Sequence, residues 1–218
     1  MSADALRRAI ADRSARVGVI GCGYVGLPLA VGFAKAGYSV VAIDVDPERV
    51  RKLRAGESYI RDVPSEAVAA HVKAGRLTAT SDYGALRDAQ IIFVAVPTPF
   101  DRAKQPDLSY IVRAAEGIAS VLQKGQLVVL ESTTYPGTTD EVMRPILERS
   151  GLHAGVDFYL AFSPERIDPG NKTFGIENTP KVVGGIDPES TALAGAALQV
   201  ITQGRIHLVS SARVAELT

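Results

Sequence analysis

An apolar run meets three closely spaced glycines in Val17-Gly-Val-Ile-Gly-Cys-Gly-Tyr-Val-Gly-Leu-Pro-Leu29, and few backbones can accept that order. Gly21, Gly23 and Gly26 spell GxGxxG. The physical reading is a buried strand that turns sharply at Gly21, brings bare backbone at Gly23 close to a pyrophosphate, and packs a helix tightly at Gly26. N–H groups at the helix start, around Tyr24 and Val25, would hold the phosphates. Glycine-rich turns between a strand and a helix also arise for steric reasons alone, so the surrounding sequence decides.

A second apolar run, Tyr38-Ser-Val-Val-Ala-Ile43, ends in Asp44, about 20 residues beyond Gly21, where a dinucleotide ribose is bound. Asp44 would accept from the ribose 2′-OH and repel a 2′-phosphate. With Val45 beside it and Asp46 adding a second negative charge, the predicted cofactor is NAD rather than NADP. Arg49 keeps NADP open, because it reaches a 2′-phosphate if the following helix turns inward. Asp46 also reads as a plain N-cap before Pro47.

A chain of 218 residues suits one large α/β domain. Its 46% apolar and 22% charged composition is that of an ordinary globular protein, and 24 basic residues balance 24 acidic ones. No basic excess points to nucleic acid or to anionic lipid, and no run approaches membrane-spanning length. Residues 1–15 read as a polar extension rather than a signal peptide. The single cysteine, Cys22, excludes an internal disulfide and fits a reducing cytoplasm. Placed in the glycine turn, it is expected to face the cofactor's phosphates rather than the reacting carbon. His71, His153 and His207 lack metal-ligand spacing, and no metal is expected.

Continuous apolar runs at Ile91–Val96, Gln126–Leu130 and Phe158–Phe162 imply strands covered on both faces. With the runs at 77–80, 181–185 and 205–209 they predict a doubly wound, mainly parallel, Rossmann-like sheet over residues 16–209, with helices on both faces. Ligands bind at the carboxyl edge of such sheets. At that edge lie Val96, Pro97 and Thr98, the last either a ribose ligand or a turn hydroxyl between prolines. Ser132 and Thr133 follow the fifth strand, near the expected nicotinamide end, while Thr138 reads as the N-cap of a helix from about Thr139 to Arg149. The loop after the sixth strand concentrates Glu165, Arg166, Asp168, Asn171 and Lys172. It is either a stiffened ligand loop or a solvated surface loop. Residues 210–218 start like a capped helix with no closing glycine or proline, so the polypeptide is expected to continue beyond Thr218.

Four stretches, Gly21-Cys-Gly-Tyr-Val-Gly-Leu-Pro28, Val96-Pro-Thr-Pro99, Glu131-Ser-Thr-Thr-Tyr-Pro-Gly-Thr138 and Phe162-Ser-Pro-Glu-Arg-Ile-Asp-Pro-Gly-Asn171, occur in this order. Through them the chain resembles the UDP-glucose/GDP-mannose dehydrogenase family from Arg16 onward, and most closely its branch acting on UDP-N-acetyl-hexosamines. The resemblance implies oxidation of a sugar C6 alcohol to a carboxylate in two hydride transfers to NAD, through a thiohemiacetal and a thioester on a cysteine. It assigns Glu165 as an acid/base or water-orienting carboxylate and Thr133 as a polarising hydroxyl. The UDP-sugar, UDP-GlcNAc or UDP-ManNAc, would be held by Glu165, Arg166, Ile167, Asp168 and Asn171. It puts the catalytic cysteine, with lysine, asparagine and aspartate partners, beyond Thr218, and it implies a homo-oligomer formed through that region, serving polysaccharide precursor synthesis. Pro169 stands where UDP-glucose enzymes carry a second acidic residue. Two other readings keep the cofactor: a one-step 3-hydroxyacid dehydrogenase with a lysine base from a later helix, and a non-enzymatic NAD-binding sensor module.

Overall fold

In the computed structural model, which describes residues 1–99, 106–165 and 175–218, the central strands form on apolar runs and the two edge strands on shorter mixed ones. These are β1 (Arg16–Ile20), β2 (Ser39–Ile43), β3 (Leu77–Thr80), β4 (Ile91–Val94), β5 (Leu127–Leu130), β6 (Tyr159–Phe162), β7 (Lys181–Gly185) and β8 (Ile206–Leu208). They join in one sheet in the order β3-β2-β1-β4-β5-β6-β7-β8. Every pairing is parallel except β6 with β7, which runs antiparallel with Ala161 opposite Gly185 and Phe162 opposite Gly184.

Side chains alternate across a pleated strand, and here both faces are apolar. Val17, Val19, Val40, Ala42, Ile91, Phe93, Leu127 and Val129 point into one buried cluster. Ile20, Val41, Ile43, Ile92, Val94, Val128 and Leu130 point into the other. Helices α1 (Ala3–Ala11), α2 (Gly26–Lys35), α3 (Pro47–Arg54) and α4 (Ser65–Lys73) cover the first face, joined later by α7 (Pro188–Gln199). The second is covered by α5 (Ser109–Ala119), α6 (Arg144–Leu147) and α8 (Ala212–Glu216). This is the doubly wound, mainly parallel α/β architecture that the uninterrupted apolar runs imply. Among the described residues, no helix is long and apolar enough to cross a membrane.

Three expectations need correction here. Residues 1–15 are not a polar extension, because Leu6, Ala9 and Ile10 are spaced for one helical face and α1 buries them in the first cluster. Ser2 caps α1 by accepting from Ala5 N, and Tyr38 donates its hydroxyl to the Ile10 carbonyl. The helix expected from Thr139 to Arg149 is not continuous either. Residues Thr138–Met143 form a wide π-helical turn, α6 follows with Pro145 in its first turn, and Glu148–Ser150 close it as a 3₁₀ turn. Pro145 has no N–H to give to the preceding turn, which widens the ladder there.

The cap of that π turn also differs from the expectation. Thr138 donates its hydroxyl back to the Tyr135 carbonyl at 2.8 Å, and capping falls to Glu216 from α8. The Glu216 carboxylate accepts from Gly137 N at 2.5 Å and from Thr139 N at 2.8 Å. Within the segment 210–218, α8 (Ala212–Glu216) is packed through its buried Ala212 and Ala215.

If α1 belongs to the core, Leu6→Ala lowers unfolding stability by about 3 kcal/mol, as for other fully buried leucines. A urea melt checks this; a change below about 0.5 kcal/mol is what a surface appendage would give.

Candidate functional site

The carboxyl ends of β1, β2, β4, β5 and β6 gather along one edge, and those expected site residues that the structure describes lie there. Gly21 takes φ +85°, and a Cβ on it would come within 2.4 Å of the Ala95 carbonyl oxygen. A Cβ on Gly26 would lie 1.8 Å from the Gly21 carbonyl oxygen, so the start of α2 rests directly on the turn. Gly23 is different. Among the described residues, a Cβ there would meet nothing within 4 Å and no side chain caps α2, which leaves open space over the Gly23 backbone at the N-terminus of that helix. That space is the cradle a pyrophosphate needs.

Asp44 closes the turn from the neighbouring strand. It is only 5% exposed, and its carboxylate accepts from Cys22 N at 2.8 Å and from Asp46 N at 2.9 Å. Arg49 reaches the same carboxylate at 3.3 Å and Asp46 at 3.7 Å. A guanidinium held between two carboxylates is poorly placed to receive a 2′-phosphate, so the charge pattern favours NAD over NADP. Asp46 also acts as the N-cap of α3, accepting from Glu48 N. Cys22 departs from expectation. It is fully buried beneath the turn with its thiol toward the Ile43 carbonyl, and burial, aided by Asp44, pushes the thiol far above its usual range. It faces the core and not the phosphates.

Two clefts adjoin at Gly21, Arg49, Val96 and Pro97. The first, about 400 Å³, lies between the ends of β1 and β2 and is walled by Ile20, Ile43, Asp44, Val45, Tyr83 and Tyr110. The second, about 360 Å³, brings together Gly23, Tyr24, Val25, Thr98, Ser132, Thr133 and Glu165. Ser132 spends its hydroxyl on the backbone, accepting from Val96 N at 3.1 Å and donating to the Val96 carbonyl at 2.9 Å. It clamps the end of β4 to the end of β5. Thr133 is exposed, and with Glu165 it also lines a third cleft of about 220 Å³ beside Glu216 and Thr218. Arg166, Ile167, Asp168 and Asn171 lie outside the described residues.

Sequence reasoning missed the most heavily buried charges at this edge. Lys181 is 3% exposed, ion-paired to Glu131 at 0%, and 3.2 Å from Glu165 at 7%. Burial pushes the Glu131 carboxyl up to about 7, against the pull of Lys181 and with the like charge of Glu165 adding to the rise. Burial works against the Lys181 ammonium, but the two carboxylates outweigh it and hold its pKa above the usual value. The signal was available as a lysine opening an apolar strand and a glutamate ending one.

The contrast between the glycines is testable. Gly26→Ala is expected to destabilise the fold by about 2 kcal/mol or more through backbone overlap. Gly23→Ala is expected to leave stability within about 0.5 kcal/mol and weaken NAD binding about 10-fold or more by filling the cradle. Thermal melts with calorimetric NAD titrations check both, and a Gly23→Ala protein with unchanged affinity contradicts the cradle.

The sequence model of the UDP-glucose/GDP-mannose dehydrogenase family, NAD binding domain, matches residues 15–201. The chain is 43% identical over 203 residues to UDP-N-acetyl-D-glucosamine 6-dehydrogenase of Pseudomonas aeruginosa, a match covering 92% of this chain and 47% of that protein. It is 36% identical over 197 residues to UDP-N-acetyl-D-mannosamine dehydrogenase of Pyrococcus horikoshii, covering 90% of this chain and 47% of that one. Among solved structures, the NDP-N-acetyl-D-galactosaminuronic acid dehydrogenase of Methanosarcina mazei superposes with a TM-score of 0.87 at 35% identity, over 100% of this chain and 48% of the other. The chain therefore spans about half the length of the curated relatives it matches. The open backbone at Gly23 and the buried Asp44 fit the cofactor named in that family match, and the chain belongs to the UDP-glucose/GDP-mannose dehydrogenase family, whose NAD binding domain it carries.

Proposed function

We propose that the chain works as the cofactor-binding half of an NAD-dependent nucleotide-sugar 6-dehydrogenase, which oxidises the C6 alcohol of a UDP-N-acetyl-hexosamine to the uronic acid. The observation that carries this reading is that Thr133 and Glu165 share the second cleft with Gly23 and the end of β4. Adenosine would occupy the first cleft, with Asp44 at the ribose, and the nicotinamide end would lie toward Ser132 and Thr133. Bound NAD would supply the hydride acceptor. Glu165 would take or orient a proton at the substrate or at the attacking water, and the Thr133 hydroxyl would polarise that water.

A covalent thioester route needs a thiolate at the sugar carbon. Cys22 cannot serve, because it is buried under the glycine turn with its thiol driven toward the neutral form. The nucleophile would come from the part of a longer protein that corresponds to the other half of the relatives. Substrate contacts from Arg166, Ile167, Asp168 and Asn171, assembly into a homo-oligomer, and a cytoplasmic role in polysaccharide precursor synthesis belong to the same proposal.

The test is NADH yield per sugar in the full-length protein, with UDP-GlcNAc, UDP-ManNAc and UDP-glucose. The expected result is two NADH per UDP-N-acetyl-hexosamine. One NADH per substrate would favour a one-step hydroxyacid dehydrogenase, and none from any nucleotide sugar would contradict the reading. Thr133→Ala and Glu165→Gln are each expected to lower kcat about 10²–10³-fold with NAD affinity nearly unchanged.

A further inference from the structure

The charges at the head of β7 and the end of β5 have no part in the reading above, and their placement follows from one topological fact. The first six strands all end at the cofactor edge, but β7 runs antiparallel to β6, so its first residue lies at that edge. Phe162 is opposite Gly184, and Ile186 N donates to the Leu160 carbonyl in the same register. Continued past Phe162, that register brings Glu165 level with Lys181. Glu131 follows β5 on the other flank of β6, and its backbone N donates to the Val94 carbonyl. An ammonium is thereby set between two carboxylates in a place closed to water.

The depth of burial rules out a surface pair. Lys181, Glu131 and Glu165 side chains are 3%, 0% and 7% exposed. One oxygen of Glu131, Oε2, is buried with no hydrogen-bond partner among the described residues. Burying an isolated charge is costly, and each member is tolerable only because its neighbour is charged too. Of the three, Glu131 and Glu165 line the second cleft. Among the described residues, the other charged groups lining the clefts around Glu165 are Arg49, which is engaged by Asp44 and Asp46, and Glu216, which is engaged by the π turn.

We propose that Lys181 is a positioning residue that holds the Glu165 carboxylate on the cleft wall it shares with Thr133, and that Glu131, at the end of β5, anchors Lys181. This deepens the dehydrogenase reading and rests on it for the role of Glu165. The trio carries one more negative charge than positive when all three are ionised.

Carboxyl ¹³C titration of Glu131 in the chain itself reads this coupling without any need for turnover. Lys181→Met is expected to raise the Glu131 midpoint by about one pH unit or more, by removing the opposite charge. Glu165→Gln is expected to lower it, by removing a like charge. A Glu131 midpoint that is the same in wild type and both variants overturns the proposal. If Lys181→Met fails to fold, the isosteric Glu165→Gln decides alone. In the full-length protein, Lys181→Met is expected to move the acidic limb of kcat/KM upward while Glu131→Gln moves it downward, with NAD affinity unchanged in both. Limbs that move together, or not at all, in an active protein also overturn it. An inactive wild type with a coupled Glu131 titration would instead contradict the dehydrogenase reading alone.

Discussion

The buried carboxylate of Asp44 is the interaction on which the cofactor edge depends. Gly21 reverses the chain at the end of β1, and the reversal leaves the Cys22 N–H beneath the turn, away from any strand ladder. Asp44 reaches across from the end of β2 to accept it, while its other oxygen accepts from Asp46 N. The glycine turn, the end of β2 and the first turn of α3 are thereby fixed as one body, and Arg49 balances the charge from the rim. A pyrophosphate cradle needs backbone N–H groups whose positions do not relax when the ligand leaves. Here that rigidity comes from the Asp44 carboxylate, which in the proposed function also reads a ribose hydroxyl.

A second constraint is the reversal of β7. A sheet whose strands all ran parallel would carry the head of β7 to the far edge, and Lys181 with it. The antiparallel pairing of β7 returns a cation to the carboxyl edge of the first six strands, between Glu131 and Glu165. Buried ion pairs contribute little net stability once desolvation is counted. What the geometry does supply is a fixed place for the Glu165 carboxylate, 3.2 Å from the Lys181 ammonium.

Much of this was legible in the residues. The apolar runs marked the strands from the centre of the sheet, because a strand buried on both faces leaves little polar interruption, whereas the edge strands β3 and β8 carry Thr78, Thr80 and His207 and are partly exposed. The turn at Gly21, the close approach at Gly26 and the cap at Asp46 followed from residue types whose backbone chemistry is nearly unambiguous. What was hidden depended on partners distant in sequence. Lys181-Val-Val-Gly-Gly185 has no intrinsic direction, so its antiparallel pairing and the buried role of its lysine could not be read from the strand itself. The cap of the π turn comes from Glu216, which no local pattern near Thr138 announces. In α1 the burial of Leu6, Ala9 and Ile10 requires helical spacing to be counted within a segment that is otherwise charged. Cys22 was placed on the right turn and assigned the wrong side, since the glycine pattern fixes the path of the backbone and not the face a following side chain takes.

The central claim is that NAD lies across Gly23 and along the strand ends from Asp44 to Thr133. An ¹⁵N–¹H correlation experiment, titrating the chain with NAD, tests it most directly. The account predicts saturable shifts at the amides of Gly21 to Gly26, Val45, Val96, Thr98, Ser132 and Thr133, with Glu116, Ala119 and Arg149 on the far side unmoved. Saturable binding that leaves the amides of the glycine turn unshifted would contradict it.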